Sequence, residues 1–226
     1  MKTHITSALI ICMILGSSYR GMGQDAKPLN VAIFIHERVQ LLDFTGPGEV
    51  FSDAHGPKGH LFNVYTVAAT EDQVTSQRFL KVKPQYSIKN APAPDILVVP
   101  GGDTGIPLKD KEVVAWMAKV GKSAKYMMSV CTGVLLFAEA GILEGKKATT
   151  HYCCLDNLET YKKVTVLRGV RYIDNGNVLT TEGISAGIDG ALYLVQKIAG
   201  KETAQGVAKY MMYDWRPDQL NVVVNE

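Results

Sequence analysis

One cysteine, Cys131, stands where a short apolar segment gives way directly to a helical pattern. Residues 126–130 are mostly apolar, Cys131-Thr132-Gly133 follows, and residues 134–140 have helical spacing, which predicts a tight strand-to-helix turn. Such a turn is a nucleophile elbow, here with cysteine in place of serine. A helix N-terminus carries roughly half a positive charge, which favours a thiolate, and its free N–H groups can bind an anion. We predict that Cys131 is a nucleophile, with a buried structural cysteine as the alternative.

Two glycines end the preceding predicted strand, at Gly101 and Gly102. Ligands of open parallel sheets bind beyond the carboxyl ends of the strands. A Gly-Gly turn there can bring bare N–H groups close to a ligand, so Gly102 and Thr132 are candidates for an oxyanion hole. The alternative is that the glycines only reverse the chain.

Asp43 and Glu49 are the candidate acids. Asp43 closely follows the first predicted strand and, in a parallel sheet, lies at the same edge as Cys131. A protonated carboxyl within hydrogen-bond reach of a thiolate can serve as an acid and then as a base. The alternative is that Asp43 caps the following helix. Glu49 lies further along that helix, where it is either a supporting acid or a surface charge.

His151 is the histidine nearest the later strands, and a Cys–His pair is the usual way to activate a thiol. His151 belongs to a different predicted strand from Cys131, so we interpret it as a structural or supporting residue. Cys153 and Cys154 are adjacent, and two reduced, packed thiols are favoured over a strained vicinal disulfide. The chain has no phosphate loop, dinucleotide fingerprint or metal-ligand spacing, so we expect no cofactor and no metal.

The elements that position these residues alternate along the chain. Apolar runs predict strands at residues 29–35, 62–68, 95–100, 125–130 and 178–181. Residues 41–54 predict a loop that enters a helix, with Pro47 in the first turn of that helix. Helical spacing predicts further helices at residues 110–124, 134–140, 185–199 and 202–213. Residues 78–82 and 86–88 predict a small antiparallel excursion, and Asp174-Asn-Gly176 signals a hairpin. The alternation predicts an α/β fold with a mostly parallel sheet covered on both faces.

Composition limits the functional classes. The 226 residues are 46% hydrophobic and carry a formal charge of +2, which suits one domain, predicted at residues 28–226. The sequence has no basic stripe and no acidic tail, so we expect no nucleic-acid partner. Residues 1–23 resemble a secretory signal peptide, with an apolar run at 5–16 that is short for a membrane span. We expect cleavage near Gly23 and a periplasmic or secreted protein without a membrane partner; an uncleaved anchor is the alternative.

Taken together, these residues resemble the DJ-1/PfpI (ThiJ) superfamily. The matching segments are LDFTGPGEVF (42–51), ILVVPGG (96–102), SVCTG (129–133), AEAGIL (138–143), ATTH (148–151) and SAGID (185–189). The resemblance implies a flavodoxin-like, class I glutamine amidotransferase-like three-layer sandwich. Within the superfamily, Cys-Thr with Asp in the first loop is similar to isonitrile hydratases and to N-terminal domains of AraC-type regulators. We expect no DNA-binding region after this domain, which favours the enzyme.

The resemblance also implies roles. Cys131 is expected to be the nucleophile, Asp43 its acid/base partner, Thr132 a site residue and Gly102 a backbone donor. A homodimer that acts on a small molecule, without a cofactor, is implied, and hydration of an isonitrile is the expected reaction. Amide hydrolysis or hydration of a glyoxal-type carbonyl on the same thiol is one alternative. A non-catalytic redox sensor or ligand-binding protein is the other. Two features differ from the similar hydratases. Those enzymes are cytoplasmic, whereas this chain is expected to be exported, and small residues are usual where this chain has Glu182.

Overall fold

The computed structural model describes residues 27–225. Its strands are β1 (Leu29–Phe34), β2 (His55–Gly56), β3 (Gly59–His60), β4 (Phe62–Ala68), β5 (Val74–Ser76), β6 (Leu80–Val82), β7 (Tyr86–Ser87), β8 (Ile96–Val99), β9 (Tyr126–Val130), β10 (Lys147–Ala148), β11 (Thr165–Val166), β12 (Tyr172–Asp174), β13 (Val178–Thr181) and β14 (Val222–Val224). Its α-helices are α1 (Leu41–Ser52), α2 (Lys111–Gly121), α3 (Val134–Glu139), α4 (Leu155–Glu159), α5 (Ala186–Ala199) and α6 (Lys201–Tyr210). Short 3-10 turns lie at Pro107–Lys109, Cys131–Gly133, Tyr152–Cys154 and Pro217–Gln219.

Eight strands form the central sheet, in the order β14-β12-β13-β9-β8-β1-β4-β7. The strands from β13 to β7 run parallel, and β12 pairs antiparallel with β13. The chain passes from β1 to β4 on one side and returns to β8 on the other, so the strand order reverses between β1 and β8. A reversal of this kind opens a crevice at the carboxyl ends of the strands, where α/β proteins bind ligands.

Apolar side chains alternate between the two faces of the sheet. In β1 and the residue after it, Val31, Ile33 and Ile35 face a core formed with α1, α5 and α6, whereas Ala32 and Phe34 face a core formed with α2, α3 and α4. Both cores consist mainly of fully buried aliphatic and aromatic residues. The predicted three-layer α/β arrangement with a mostly parallel sheet is therefore confirmed.

Some elements differ from their sequence-based predictions. The helix α1 begins at Leu41, so Pro47 lies in its second turn rather than its first. The antiparallel excursion predicted at residues 78–82 and 86–88 forms two separate pairings. The strands β5 and β6 form a hairpin, whereas β7 pairs in parallel with β4 in the main sheet. The hairpin through Asp174 and Gly176 is confirmed by the pairing of β12 with β13. Residues 1–23, the predicted signal peptide, lie outside the described residues. Within residues 27–225, no helix combines the length and apolarity that a bilayer crossing requires.

Candidate active site

Cys131 lies directly after β9, at the first residue of the turn that leads into α3. Its φ of 56° is in the left-handed region, which a residue with a β-carbon rarely adopts. The Thr150 hydroxyl donates a hydrogen bond of 2.8 Å to the Cys131 carbonyl and helps to hold this conformation. Strained backbone of this kind persists where surrounding contacts enforce it, and it is concentrated at functional sites.

Glycine backbones surround the elbow at close range. A β-carbon on Gly183 would lie 2.6 Å from Cα of Cys131, and one on Gly101 would lie 2.6 Å from the Thr132 nitrogen. Such contacts are too short for any side chain, so both positions require glycine. Gly183 and Thr150 were not among the predicted site residues, since neither carries a chemical signal in the sequence.

Asp43 lies in the first turn of α1 and is completely buried. Its Oδ2 accepts a hydrogen bond of 3.0 Å from the Gly101 N–H, and its Oδ1 is buried without a hydrogen bond of regular geometry. Burial raises the pKa of Asp43 to about 7, while the Gly101 N–H and the Cys131 thiol partly oppose the rise. The Asp43 carboxyl, held by α1, and the Cys131 thiol, at the end of β9, are thus in direct interaction.

The thiol itself is protonated in the resting site. Burial, and then the nearby charge of Asp43, raise the pKa of Cys131 well above its ordinary value, and the Thr132 N–H only partly counteracts them. The direction of this shift is opposite to the one expected from a helix N-terminus. The α3 helix has only six residues and starts after a 3-10 turn, so its dipole is weaker than the cost of burying a charge. Cys131 needs a base to become a nucleophile.

Thr132 and Gly102 are joined by two hydrogen bonds. The Gly102 N–H donates to the Thr132 hydroxyl at 3.0 Å, and that hydroxyl donates to the Gly102 carbonyl at 3.1 Å. Gly102 has a φ of 114°, and a β-carbon there would lie 2.7 Å from the Gln40 nitrogen. The Gly102 N–H was expected to be a free oxyanion donor, but it is already used by Thr132. The pair instead fixes the Gly-Gly turn against the elbow.

The other two predicted residues are placed differently. Glu49 is exposed on α1, so its side chain does not join the buried pair and the expected supporting role is not met. His151 is half-buried and caps the Tyr152–Cys154 turn, where its Nδ1 lies 2.9 Å from the Cys153 sulfur. It therefore contacts Cys153 rather than Cys131. All three cysteines of the described chain are free, but Cys153 is exposed, which corrects the expectation of two packed thiols.

No cluster of metal-binding side chains occurs among residues 27–225. A surface cleft of about 530 Å³ is lined by residues such as Lys27 and His60, and another of about 270 Å³ by residues such as His36 and Asp110. Neither cleft is lined by Cys131, whose exposure is 6%. Cys131 is therefore almost entirely covered by the protein.

Several known proteins have sequences similar to this chain. The model of the DJ-1/PfpI family matches residues 29–197. The chain is 36% identical to an isonitrile hydratase of Pseudomonas putida over 82% of this chain and 78% of that protein. It is 26% identical to the HTH-type transcriptional regulator GbdR of Pseudomonas aeruginosa, over 84% of this chain but only 52% of the regulator.

A solved structure gives the same result for the fold. The crystal structure of a ThiJ/PfpI family protein from Pseudomonas syringae superimposes with a TM-score of 0.77 at 29% identity, covering 90% of this chain and 85% of that one. The flavodoxin-like fold implied by the sequence motifs is thus confirmed. The family model covers most of the chain, including the Cys131 elbow and the strands that flank it in the sheet. The chain therefore belongs to the DJ-1/PfpI family.

Proposed function

We propose that this protein is a cysteine-dependent enzyme that hydrates an isonitrile to an N-substituted formamide. The observation that carries the proposal is the buried Asp43 carboxyl in interaction with the Cys131 thiol, with an Asp43 pKa of about 7. A carboxyl with that pKa accepts and donates protons equally well near neutral pH. The relative named isonitrile hydratase supports the substrate class.

The first step forms a bond between sulfur and the terminal carbon of the isonitrile. Since the Cys131 thiol holds its proton at rest, ionised Asp43 removes that proton as the sulfur attacks. Asp43 then delivers the proton to the same carbon. The product is a thioimidate, in which the former isonitrile carbon carries one hydrogen and is joined to sulfur and nitrogen.

The second step adds water to the thioimidate carbon. Asp43 takes a proton from the water as the water oxygen attacks, and it passes that proton to the substrate nitrogen. The carbon–sulfur bond then breaks, the new hydroxyl becomes a carbonyl, and its proton returns to the Cys131 sulfur by way of Asp43. One water is consumed, one formamide leaves, and both side chains regain their starting states.

The low exposure of Cys131 favours a slender electrophile. Only 6% of Cys131 is exposed, and the Gly101 backbone is so close that a β-carbon there would lie 2.9 Å from Cβ of Cys131. The reacting carbon of an isonitrile is the end atom of a linear group, so it can reach a recessed sulfur without exposing the site to bulk water. An amide carbon carries substituents on both sides and needs a wider approach.

A substrate panel with matched variants tests the proposal. The purified protein is assayed separately with an alkyl isonitrile, a 2-oxoaldehyde and a primary amide. Chromatography measures the product of each reaction, which for the isonitrile is the formamide. We expect formamide from the isonitrile, loss of at least about a thousandfold in Cys131→Ala, and a loss of about a hundredfold or more in Asp43→Asn. Glu49→Gln makes the same acid-to-amide change on the exposed side of α1 and is expected to keep full activity.

Two results would contradict the proposal. Undiminished formamide production by Cys131→Ala would exclude the covalent mechanism. Turnover of the 2-oxoaldehyde or the amide, with none of the isonitrile, would retain the Asp43–Cys131 chemistry but replace the reaction. Circular dichroism of each variant shows whether the fold is kept, which separates lost chemistry from lost structure.

A further inference from the structure

A second group of reactive side chains lies beside the Cys131 site, in the turn between β10 and α4. His151 Nδ1 lies 2.9 Å from the Cys153 sulfur, and the Cys153 and Cys154 sulfurs are 3.6 Å apart. Cys153 is exposed and Cys154 is partly buried. The proposed hydration uses none of these three residues.

The hydrogen bonds around His151 indicate that the ring nitrogen facing the Cys153 thiol, Nδ1, carries no proton. The Cys153 backbone N–H, which can only donate, points to Nδ1 at 3.5 Å. Nδ1 therefore carries a lone pair, and the same atom lies 2.9 Å from the Cys153 sulfur, where it can act as a base while that sulfur reacts. A thiolate beside a histidine is the reactive form of cysteine, whereas an uncharged thiol reacts slowly.

The two neighbouring thiols have different environments. Burial raises the pKa of Cys154 to about 11, and its contact with Cys153 contributes to the rise. Cys131 is buried and holds its proton, as described above. Among the three cysteines within residues 27–225, only Cys153 combines exposure to solvent with a base at hydrogen-bond distance. An oxidant from solvent therefore meets Cys153 first.

We propose that His151, Cys153 and Cys154 form a reversible dithiol switch that is oxidised by peroxides. The Cys153 sulfur attacks one peroxide oxygen, the O–O bond breaks, and the second oxygen leaves as water or an alcohol after taking a proton. The resulting sulfenic acid is attacked by the Cys154 sulfur, its S–O bond breaks, and water leaves. Two thiols lose two electrons in total, and the peroxide is reduced by two electrons.

Sequence adjacency makes this disulfide easy to reverse. Consecutive Cα atoms are about 3.8 Å apart, which is shorter than the usual span of roughly 4.4–6.8 Å between disulfide-bonded cysteines. Strained disulfides have more oxidising potentials, so small dithiols reduce them readily. The switch therefore suits a reversible response rather than permanent stabilisation of the fold.

Peptide mass spectrometry separates this proposal from oxidation of Cys131. Trypsin releases Cys153 and Cys154 together in peptide 148–162, and Cys131 in peptide 126–146. After mild hydrogen peroxide treatment, we expect peptide 148–162 to be lighter by two hydrogen atoms, and dithiothreitol to restore its mass. The same change is expected in Cys131→Ser, because the switch does not need that thiol. This variant has no hydratase activity under the proposed mechanism, so the two proposals fail independently.

Three further variants test the individual steps. Cys154→Ser is expected to accumulate a sulfenic acid on Cys153 that dimedone traps, and Cys153→Ser to leave Cys154 unmodified. His151→Gln is expected to slow oxidation about tenfold, because it removes the base at hydrogen-bond distance from the Cys153 sulfur. The control His55→Gln changes an exposed histidine whose Nδ1 contacts a backbone carbonyl instead of a thiol, and it is expected to have no effect.

A disulfide that joins peptides 126–146 and 148–162 would overturn the proposal, as would oxidation of Cys131 before Cys153. Equal oxidation rates in His151→Gln and the unmodified protein would remove the role given to His151.

Discussion

At the residue scale, the site is governed by one carboxyl and one thiol that are both kept out of water. Burial raises the pKa of Asp43 to about 7 and holds the proton on Cys131. The pair therefore starts with a neutral sulfur and a carboxyl that titrates near physiological pH. A single Asp43 oxygen is tied to the Gly101 N–H, which leaves the rest of the carboxyl to exchange protons with the thiol.

The raised pKa of Asp43 predicts how stability depends on pH. The ordinary pKa of 3.8 applies in the unfolded chain and about 7 in the folded protein, so between these values the folded state binds a proton that the unfolded state releases. The contribution of Asp43 to the free energy of unfolding is therefore largest below about pH 4 and decreases as pH rises to about 7. The total decrease is on the order of 4 kcal/mol.

Urea denaturation of the unmodified protein and Asp43→Asn at about pH 5 and about pH 8 measures this effect. We expect Asp43→Asn to gain stability relative to the unmodified protein at the higher pH, because the amide has no charge to bury. A constant difference between the two proteins across this range would show that Asp43 titrates normally. Glu49→Gln is the control, since Glu49 is exposed.

At the scale of elements, the elbow depends on how closely β9, β13 and the turn after β8 approach one another. Gly183 follows β13 with a φ of 82° and lies against Cys131, while Thr150 holds the Cys131 carbonyl from another segment. The left-handed backbone of Cys131 is thus imposed from several sides. Its sulfur is positioned by neighbouring backbones more than by the short helix that follows.

Substitution of these glycines separates backbone strain from crowding. Gly183 and Gly176 have nearly equal φ values, 82° and 84°, but a β-carbon on Gly176 meets nothing within 4 Å. Each alanine variant bears the left-handed penalty of about 1 kcal/mol, and only Gly183→Ala also displaces Cys131. We expect Gly183→Ala to lose activity about a hundredfold, since small misplacements of reacting atoms have effects of that size. Gly176→Ala is expected to keep its activity.

The measurement is turnover together with the melting temperature of each variant. Similar activities in the two alanine variants would mean that the elbow tolerates movement of the Cys131 backbone.

At the scale of the whole molecule, the strand order decides what meets at the crevice. Asp43 follows β1, the Gly101–Gly102 turn follows β8, and Cys131 follows β9, and these three strands are neighbours in the sheet. Residues far apart in the chain therefore converge at one edge. The predicted signal peptide concerns the whole molecule as well, since it decides the compartment in which the thiols work.

Expression of the full chain in a Gram-negative host tests the predicted export. The apolar run at residues 5–16 has the length of a signal-peptide core, so we expect periplasmic recovery of a protein whose N-terminus lies near Gln24. Intact-mass analysis of the periplasmic and cytoplasmic fractions measures this, and a matched chain without residues 1–23 is expected to stay in the cytoplasm. A protein retained in the cytoplasm with its first residues intact would contradict the prediction. The homodimer implied by the family resemblance also stays a prediction.

The sequence alone determined most of the elements and the family. It also determined that the candidate site lies at the carboxyl ends of the parallel strands. Apolar runs, helical spacing and the Cys-Thr-Gly turn are local patterns, and a parallel sheet then requires Asp43 and Cys131 to share an edge. Only the tertiary structure decided the protonation of the thiol, the use of the Gly102 N–H by Thr132, and the pairing of His151 with Cys153. These depend on burial and on contacts between distant segments. Burial removes the water that stabilises a charge, and local sequence patterns do not specify where that happens.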